Sequence, residues 1–386
     1  MQVYDGAVDK GLEGVIACTT GKSSIVDATL CYRGFKIEDL AAHSSFAEVV
    51  FLLWNDRLPN ADELQSFRTQ LSKDMTLDPG LVDVLKAMPT KNVHPMAWLR
   101  TAVSAMALWD NQSQSVDEAE VKQVCQRITA KMGSLVTLFH RLREGLEIVQ
   151  PKADQSMAWN FLYQLRGEAP PKEMEDVFDT CLVLHADHEL NCSAFSSRVT
   201  SSSLSDVYSA VTSAIGTLKG PLHGGANEQV MRTLREIGSV DNAPQWLETA
   251  LSEKKKIMGF GHRVYKNGDP RAKILRGMSE TLTKLAGEPQ WYEISKYLDE
   301  EVKERKGLLP NVDFYSATVY NSMGIPLDLY TPIFATSRVS GWVAHILEQY
   351  SQNSPERACH PKQSEGSLPS VRLIEILRCA QDDGLA

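Results

Sequence analysis

Between Val49 and Leu135 apolar residues return every three to four positions, and the connectors between these stripes are short. That is the period of a helix with one buried face; a strand would alternate every two residues. Val49, Val50, Leu52 and Leu53 form the first stripe, and Ser45 with Glu48 three residues on is a capping box ahead of it. Asn60-Ala61-Asp62-Glu63 opens a second helix around Leu64, Phe67 and Leu71. Pro79-Gly80 opens a third around Leu81, Val84, Leu85 and Met88, and Met96, Leu99, Val103 and Met106 mark a fourth. Val121, Val124, Cys125, Ile128, Met132 and Leu135 run along a long fifth. Strand signals are confined to the first 40 residues: Val15-Ile16-Ala17, a turn at Gly21-Lys22-Ser23-Ser24, then Ile25-Val26 and Leu30-Cys31-Tyr32. With no βαβ alternation and no internal repeat, the expectation is a mainly α fold with a minor N-terminal β element.

A chain of 386 residues exceeds the size at which one core stops growing, so one large domain or two are expected. The longest apolar run in the first half, Val49 to Trp54, is far short of a membrane span. The N-terminus lacks the basic and apolar regions of a signal peptide, and the seven scattered cysteines contain no CxxC pair. Reduced thiols in a cytoplasmic protein are the expectation. A net charge of −9 argues against nucleic-acid binding, yet from Lys254 to Arg276 there are eight basic residues and one acid, Asp269. Such an island reads either as a small-anion site or as a solvated helix face. From Ser351 to Ser370 the chain turns rich in Ser, Pro, Gln and Glu and reads as a tail or linker, with a short helix at 371–377 beyond it.

Three polar segments interrupt the helical pattern: Gly220-Pro221-Leu222-His223-Gly224-Gly225-Ala226-Asn227, Gly259-Phe260-Gly261-His262-Arg263-Val264-Tyr265, and Asn311-Val312-Asp313-Phe314-Tyr315-Ser316. Each sets one titratable residue (His223, His262, Asp313) beside backbone able to turn sharply and approach a ligand. Two imidazoles and a carboxylate are the parts of acid–base chemistry near neutral pH. Asp313 has a second reading, as a helix N-cap. Gly259-Phe260-Gly261 lacks the third glycine of a dinucleotide fingerprint. A helix over 174–190 carries His185 and His188 on its apolar stripe; metal ligation, core packing and ligand binding are all open to them. Arg271 falls in the first turn of a helix after Asp269-Pro270, where a guanidinium can fork onto a carboxylate. Arg338 lies among apolar residues, a costly place unless it meets an anion.

Taken in order and spacing, Asp187-His188-Glu189 with Asn191, the 220–227 and 259–262 segments, Asp269-Pro270-Arg271, the 311–316 segment and Ser337-Arg338-Val339 resemble the citrate synthase family over roughly residues 10 to 350. The resemblance implies large and small helical domains: 1–224 and 324–353 in the large one, 225–323 in a small mobile one, with a divergent tail at 354–386. It implies condensation of acetyl-CoA with oxaloacetate, or of propionyl-CoA in the 2-methylcitrate synthases; a fold-retaining scaffold without activity is the alternative from another class. Asp313 would take the methyl proton, His223 would bond the thioester oxygen, and His262 would donate to the oxaloacetate carbonyl. His188, Arg271 and Arg338 would bind oxaloacetate, and Lys256, Ile257, Met258, Gly259, Phe260 and Gly261 would wrap the CoA adenine. No cofactor or metal is implied, and the family is a homodimer in which a partner-chain arginine of an Arg-Pro-Arg stretch completes each site. Here that stretch is absent; Arg357 stands at about its register, and the tail is a candidate contact for a higher assembly.

Overall fold

A computed structural model describes residues 18–353 except Asp27, Pro221, Leu222, Arg263, Val264 and Lys266. Val15-Ile16-Ala17, Arg357 and the 354–386 tail, with the helix expected at 371–377, lie outside the described residues. The chain opens with an antiparallel sheet in the order β1 (Ser23–Val26), β2 (Thr29–Tyr32), β3 (Phe35–Lys36). Ser23 and Ser24 therefore sit in a strand and not in the expected turn; Ser23 pairs with Tyr32 across the hairpin.

Helices follow almost without interruption: α1 (Ile37–His43), α2 (Phe46–Asn55), α3 (Ala61–Asp74), α4 (Pro79–Ala87), α5 (Pro95–Met106), α6 (Glu118–Glu144), α7 (Met157–Arg166) and α8 (Lys172–His185). Then come α9 (Cys192–Ser202), α10 (Val207–Leu218), α11 (Ala226–Ile237), α12 (Ala243–Ser252), α13 (Pro270–Leu285), α14 (Gln290–Lys306), α15 (Val312–Ser322) and α16 (Tyr330–Asn353). The expected caps are made: the Glu48 carboxylate takes the Ser45 N–H at 2.7 Å, and Asn60 Oδ1 accepts from Glu63 N–H at 2.9 Å. One stripe residue departs from expectation, because Val84 is 46% exposed on the outer face of α4.

α16 is buried on every side from Tyr330 to Ile346, the signature of a helix threaded through a core. It packs on α2, α5, α6, α8, α9, α10 and α11. α13 and α15 pack together, and α11, α12 and α14 complete that group, which meets the rest through α1, α8 and α16. Among the described residues no helix is long and apolar enough to cross a membrane.

The expected helix over 174–190 is corrected: α8 stops at His185. A helix end leaves its last carbonyl groups without partners, and α16 supplies them. Ser337 Oγ donates to Leu182 O at 2.5 Å, Arg338 Nε to His185 O at 2.7 Å, and Ser340 Oγ to Ala186 O at 3.4 Å. Glu189 then turns left-handed (φ +48°), and Asn191 caps α9 by accepting Ala194 N–H. His185 is a core residue, its Nδ1 on Cys181 O at 2.7 Å and its pKa pushed down to about 3 by burial. His188 is released from the helix into a loop.

Candidate active site

Four stretches of chain converge around His188. The first is the 186–191 loop itself. The second is the turn after α10, which carries His223. The third and fourth are joined to each other: Phe260 bridges Pro310, Gly261 N–H donates to Leu309 O at 2.8 Å, and Asn311 N–H donates to Gly259 O at 2.9 Å. This short pairing sets His262 beside the start of α15. Gly259 is required there, since its φ is +83° and a Cβ would lie 2.7 Å from Val230 Cγ2 and 2.8 Å from Phe314 Cδ2. Phe260 lies against Phe314 with ring centroids 4.5 Å apart.

Asp313 is not the N-cap of α15; Asn311 is, and its side chain accepts the Asp313 N–H at 3.1 Å. The Asp313 carboxylate is thereby left for other work. It is partly accessible, and burial pushes its pKa up to about 6, with Arg271 pulling it down and Asp269 pushing it up.

His188 and His262 face each other with centroids 5.2 Å apart, and Tyr265 closes the group, 4.5 Å from His262 with its hydroxyl 3.0 Å from His188 Nε2. The Tyr265 N–H donates to His262 Nδ1 at 3.4 Å, which puts the ring proton of a neutral His262 on Nε2. His188 is held neutral by burial, reinforced by Arg271, His262 and Arg338. His223 is also neutral, its pKa pushed down to about 3 by burial and by the charge of Arg338. The Ser193 backbone N–H donates to His223 Nε2 at 3.3 Å, and an N–H can only donate. With Ser193 Oγ, 2.9 Å from the same nitrogen, donating as well, the His223 proton is on Nδ1, where it can serve an incoming acceptor.

The two guanidinium groups differ. Arg271 is forked onto Asp269, through Nε at 2.9 Å and Nη2 at 2.8 Å, and Asp269 also accepts the Val312 N–H. This carboxylate holds two of the Arg271 donor nitrogens and ties α13 to the start of α15. Arg338 is 2% exposed, donates to His185 O and lies over Phe334 at 4.5 Å, but has no carboxylate within ion-pair distance among the described residues. Burial pulls its pKa down to about 10. A buried cation without a counter-ion costs several kcal/mol, and an arriving anion removes that cost.

The basic island is partly neutralised: Lys255 pairs with Glu236, Arg271 with Asp269 and Arg276 with Asp299. Within the 256–261 loop Lys256 is exposed and Ile257 buried, so its apolar part serves packing. Among the described residues no group of three or more His, Cys, Asp or Glu is placed to hold a metal ion. Ser193, Asp269 as a tether and Tyr265 were given no role in the site from the sequence, although Tyr265 closes the 259–265 segment and Asp269 stands before Pro270 at a helix start.

A mainly helical fold that brings together the neutral imidazoles of His188 and His223, a carboxylate of raised pKa and an unpaired buried arginine has the groups for acid–base chemistry on an anion. The family profile described as citrate synthase, C-terminal domain, matches residues 11–362. "Citrate synthase 2" of Bacillus subtilis is 52% identical over 344 residues, 89% of this chain and 92% of that protein. "2-Methylcitrate synthase 1" of Corynebacterium glutamicum is 40% identical over 357 residues, 91% of this chain and 93% of that one. The Thermoplasma acidophilum citrate synthase, solved as a ternary complex with carboxymethyl coenzyme A and oxaloacetate, superposes with TM-score 0.84 at 32% identity, covering 95% of this chain and 97% of that one. The chain belongs to the citrate synthase family.

Proposed function

We propose that this chain condenses acetyl-CoA with oxaloacetate and water to give citrate and CoA. The observation that carries the reading is the unpaired, buried Arg338, whose charge is felt by His188, His223 and Asp313 alike. A dianionic keto acid meets that charge, with Arg271 and His188 as its further ligands. Arg338→Ala is expected to raise KM for oxaloacetate by about 10²–10³-fold while changing kcat at saturation much less, since a desolvated charge pair is worth about 2–5 kcal/mol. Steady-state kinetics with oxaloacetate varied checks it.

In the reaction, the Asp313 carboxylate removes a proton from the acetyl methyl group. His223 Nδ1–H donates to the thioester oxygen as charge develops on it, and His262 Nε2–H donates to the ketone oxygen of oxaloacetate. The enol carbon then forms the new C–C bond, and water cleaves the thioester to release CoA. A thioester α-proton is a weak acid, so removal by a carboxylate needs the oxygen stabilised at once by donors already aimed at it.

Water must stay out until the C–C bond exists. This favours closure of the 225–323 segment over the remainder, and the supporting observation is its division of labour. His262, Arg271 and Asp313 lie within that segment, His188 and Arg338 outside it, and His223 at the junction. The loop 256–261 would embrace the CoA adenine from the same segment. The assembly would be a cytoplasmic homodimer, with Arg357 in the role of the partner-chain arginine and the tail in any higher assembly.

A 2-methylcitrate synthase is the second reading, favoured by the Corynebacterium relative. One methylene in an apolar pocket shifts discrimination by only about 1–3 kcal/mol, and both reactions use the same polar groups. A thiol-release assay with oxaloacetate and a panel of acyl-CoAs separates them. Acetyl-CoA is expected to give the highest kcat/KM; a propionyl-CoA preference would reassign the substrate, and no thiol release from either would sink both readings.

A further inference from the structure

Three distant segments grip the two residues that flank His188. On the N-terminal side is Asp187, fully buried. Its Oδ2 accepts from Ser23 Oγ of β1 at 2.5 Å, and its Oδ1 lies 3.2 Å from Nε2 of His345 on α16. Its backbone N–H and carbonyl both meet the hydroxyl of Tyr32 on β2, at 3.2 Å and 2.9 Å. On the C-terminal side Glu189 donates its N–H to the same Ser23 Oγ at 2.7 Å, and its carboxylate accepts the Ile25 N–H at 2.7 Å. Ser23 Oγ is thus the point where both flanks of His188 are tied together.

The α16 side is equally tight. A Cβ on Gly341 would lie 2.5 Å from both Ala186 O and Asp187 Oδ1, so only glycine lets the helix approach this loop so closely. His345 is fully buried; its Nδ1 is 3.3 Å from Thr20 Oγ1, with Glu348 on its own helix behind it. Burial pushes the imidazole down, but Asp187 and Glu348 outweigh it and raise its pKa to about 9, so it is charged at neutral pH. Glu348 is held in turn by Arg198 of α9 at 2.7 Å and by the Gly21 N–H at 2.8 Å.

We propose that His345 and Ser23 are positioning residues: acting through Asp187 and Glu189, they fix the place from which the His188 imidazole meets the keto-acid substrate. This rests on the functional reading above in naming that substrate. The physical reason is that His188 has no helix to hold it. Its backbone cannot shift without breaking buried, charge-assisted hydrogen bonds on one side or the other, and a displacement of about 1 Å at a positioning group costs on the order of 10²-fold. A strut serving stability alone would not need to end on both neighbours of one site histidine.

The test uses Ser23→Ala, His345→Leu and His345→Gln in the full-length protein, with KM for oxaloacetate, KM for the acyl-CoA, kcat and thermal melting all measured. Ser23→Ala and His345→Leu are expected to raise the oxaloacetate KM at least tenfold and leave the acyl-CoA KM within about threefold. His345→Gln, which keeps a donor for Asp187, is expected to recover part of that loss. Oxaloacetate KM values within twofold of the parent in soluble, folded Ser23→Ala and His345→Leu would overturn the proposal. So would an equal loss in all parameters tracking only the fall in melting temperature. A readout independent of turnover is the imidazole nitrogen NMR signal of His188: it moves in Ser23→Ala if the ring is repositioned and stays if it is not. That arm decides the positioning claim even if the parent protein releases no thiol, in which case the functional reading alone has failed.

Discussion

Replacing Asp313 by Asn is expected to lower kcat by about 10²–10⁴-fold, the range of a positioned general base, and at the same time to stabilise the fold. The Asp313 side chain makes no hydrogen bond among the described residues that an amide would break, and burial already works against its charge. An Asp whose pKa is raised in the folded state binds protons more tightly when folded, so stability falls as pH rises between its unfolded and folded values. From 3.8 to about 6 this amounts to on the order of 2–3 kcal/mol by pH 7. Asn removes that term. A thermal melt at pH 7 should therefore move upward in the variant, and the gain should vanish toward pH 4. In the parent enzyme, kcat/KM should climb with pH through about 6 as the base ionises. An inactive variant that melts lower than the parent at pH 7 would contradict this account of the carboxylate.

His223→Ala is expected to cost about 10²–10³ in kcat, the loss found when one preorganised donor to a developing oxyanion is removed, about 2.7–4 kcal/mol. Little stability should go with it, because the ring is neutral and its partner Ser193 keeps Asn191 and the Trp342 indole N–H as neighbours. With a His223 pKa near 3, this residue adds no acid limb above pH 4, so the acid side of the profile should keep its shape in the variant. Two overlapping acid limbs in the parent, one of them lost in His223→Ala, would show that the imidazole titrates and that the neutral-donor role is wrong. Gln at 223 should recover part of the rate, since its amide restores a donor without a charge.

Much of this architecture was written locally. Helix periodicity and caps depend on contacts within about four residues, so Ser45 with Glu48 and Asn60 with Glu63 could be read before any coordinates. That His223, His262 and Asp313 each stand beside glycine or asparagine in otherwise apolar surroundings was equally legible, and it marked them as the candidate chemical groups. The charge count of the basic island was legible too, but its meaning was not: Lys255, Arg271 and Arg276 find acids of the chain itself, and Asp299 lies 23 positions beyond Arg276.

What packing alone decided is which groups are left unsatisfied. The helical stripe that runs through His188 gave no sign that α8 ends at His185, because the side chains that cap it come from α16, 153 positions away for Arg338. Asp269, two positions from Arg271, sets that arginine apart from Arg338 in the sequence, but only the fold shows that one forks onto this carboxylate while the other is left against an apolar ring as a waiting charge. The tautomer of His223 likewise follows from a backbone N–H 30 positions away, brought in by folding. Periodicity is a property of neighbours along the chain, whereas a buried charge takes its energy from whatever the whole fold sets around it, and that sum has no local code.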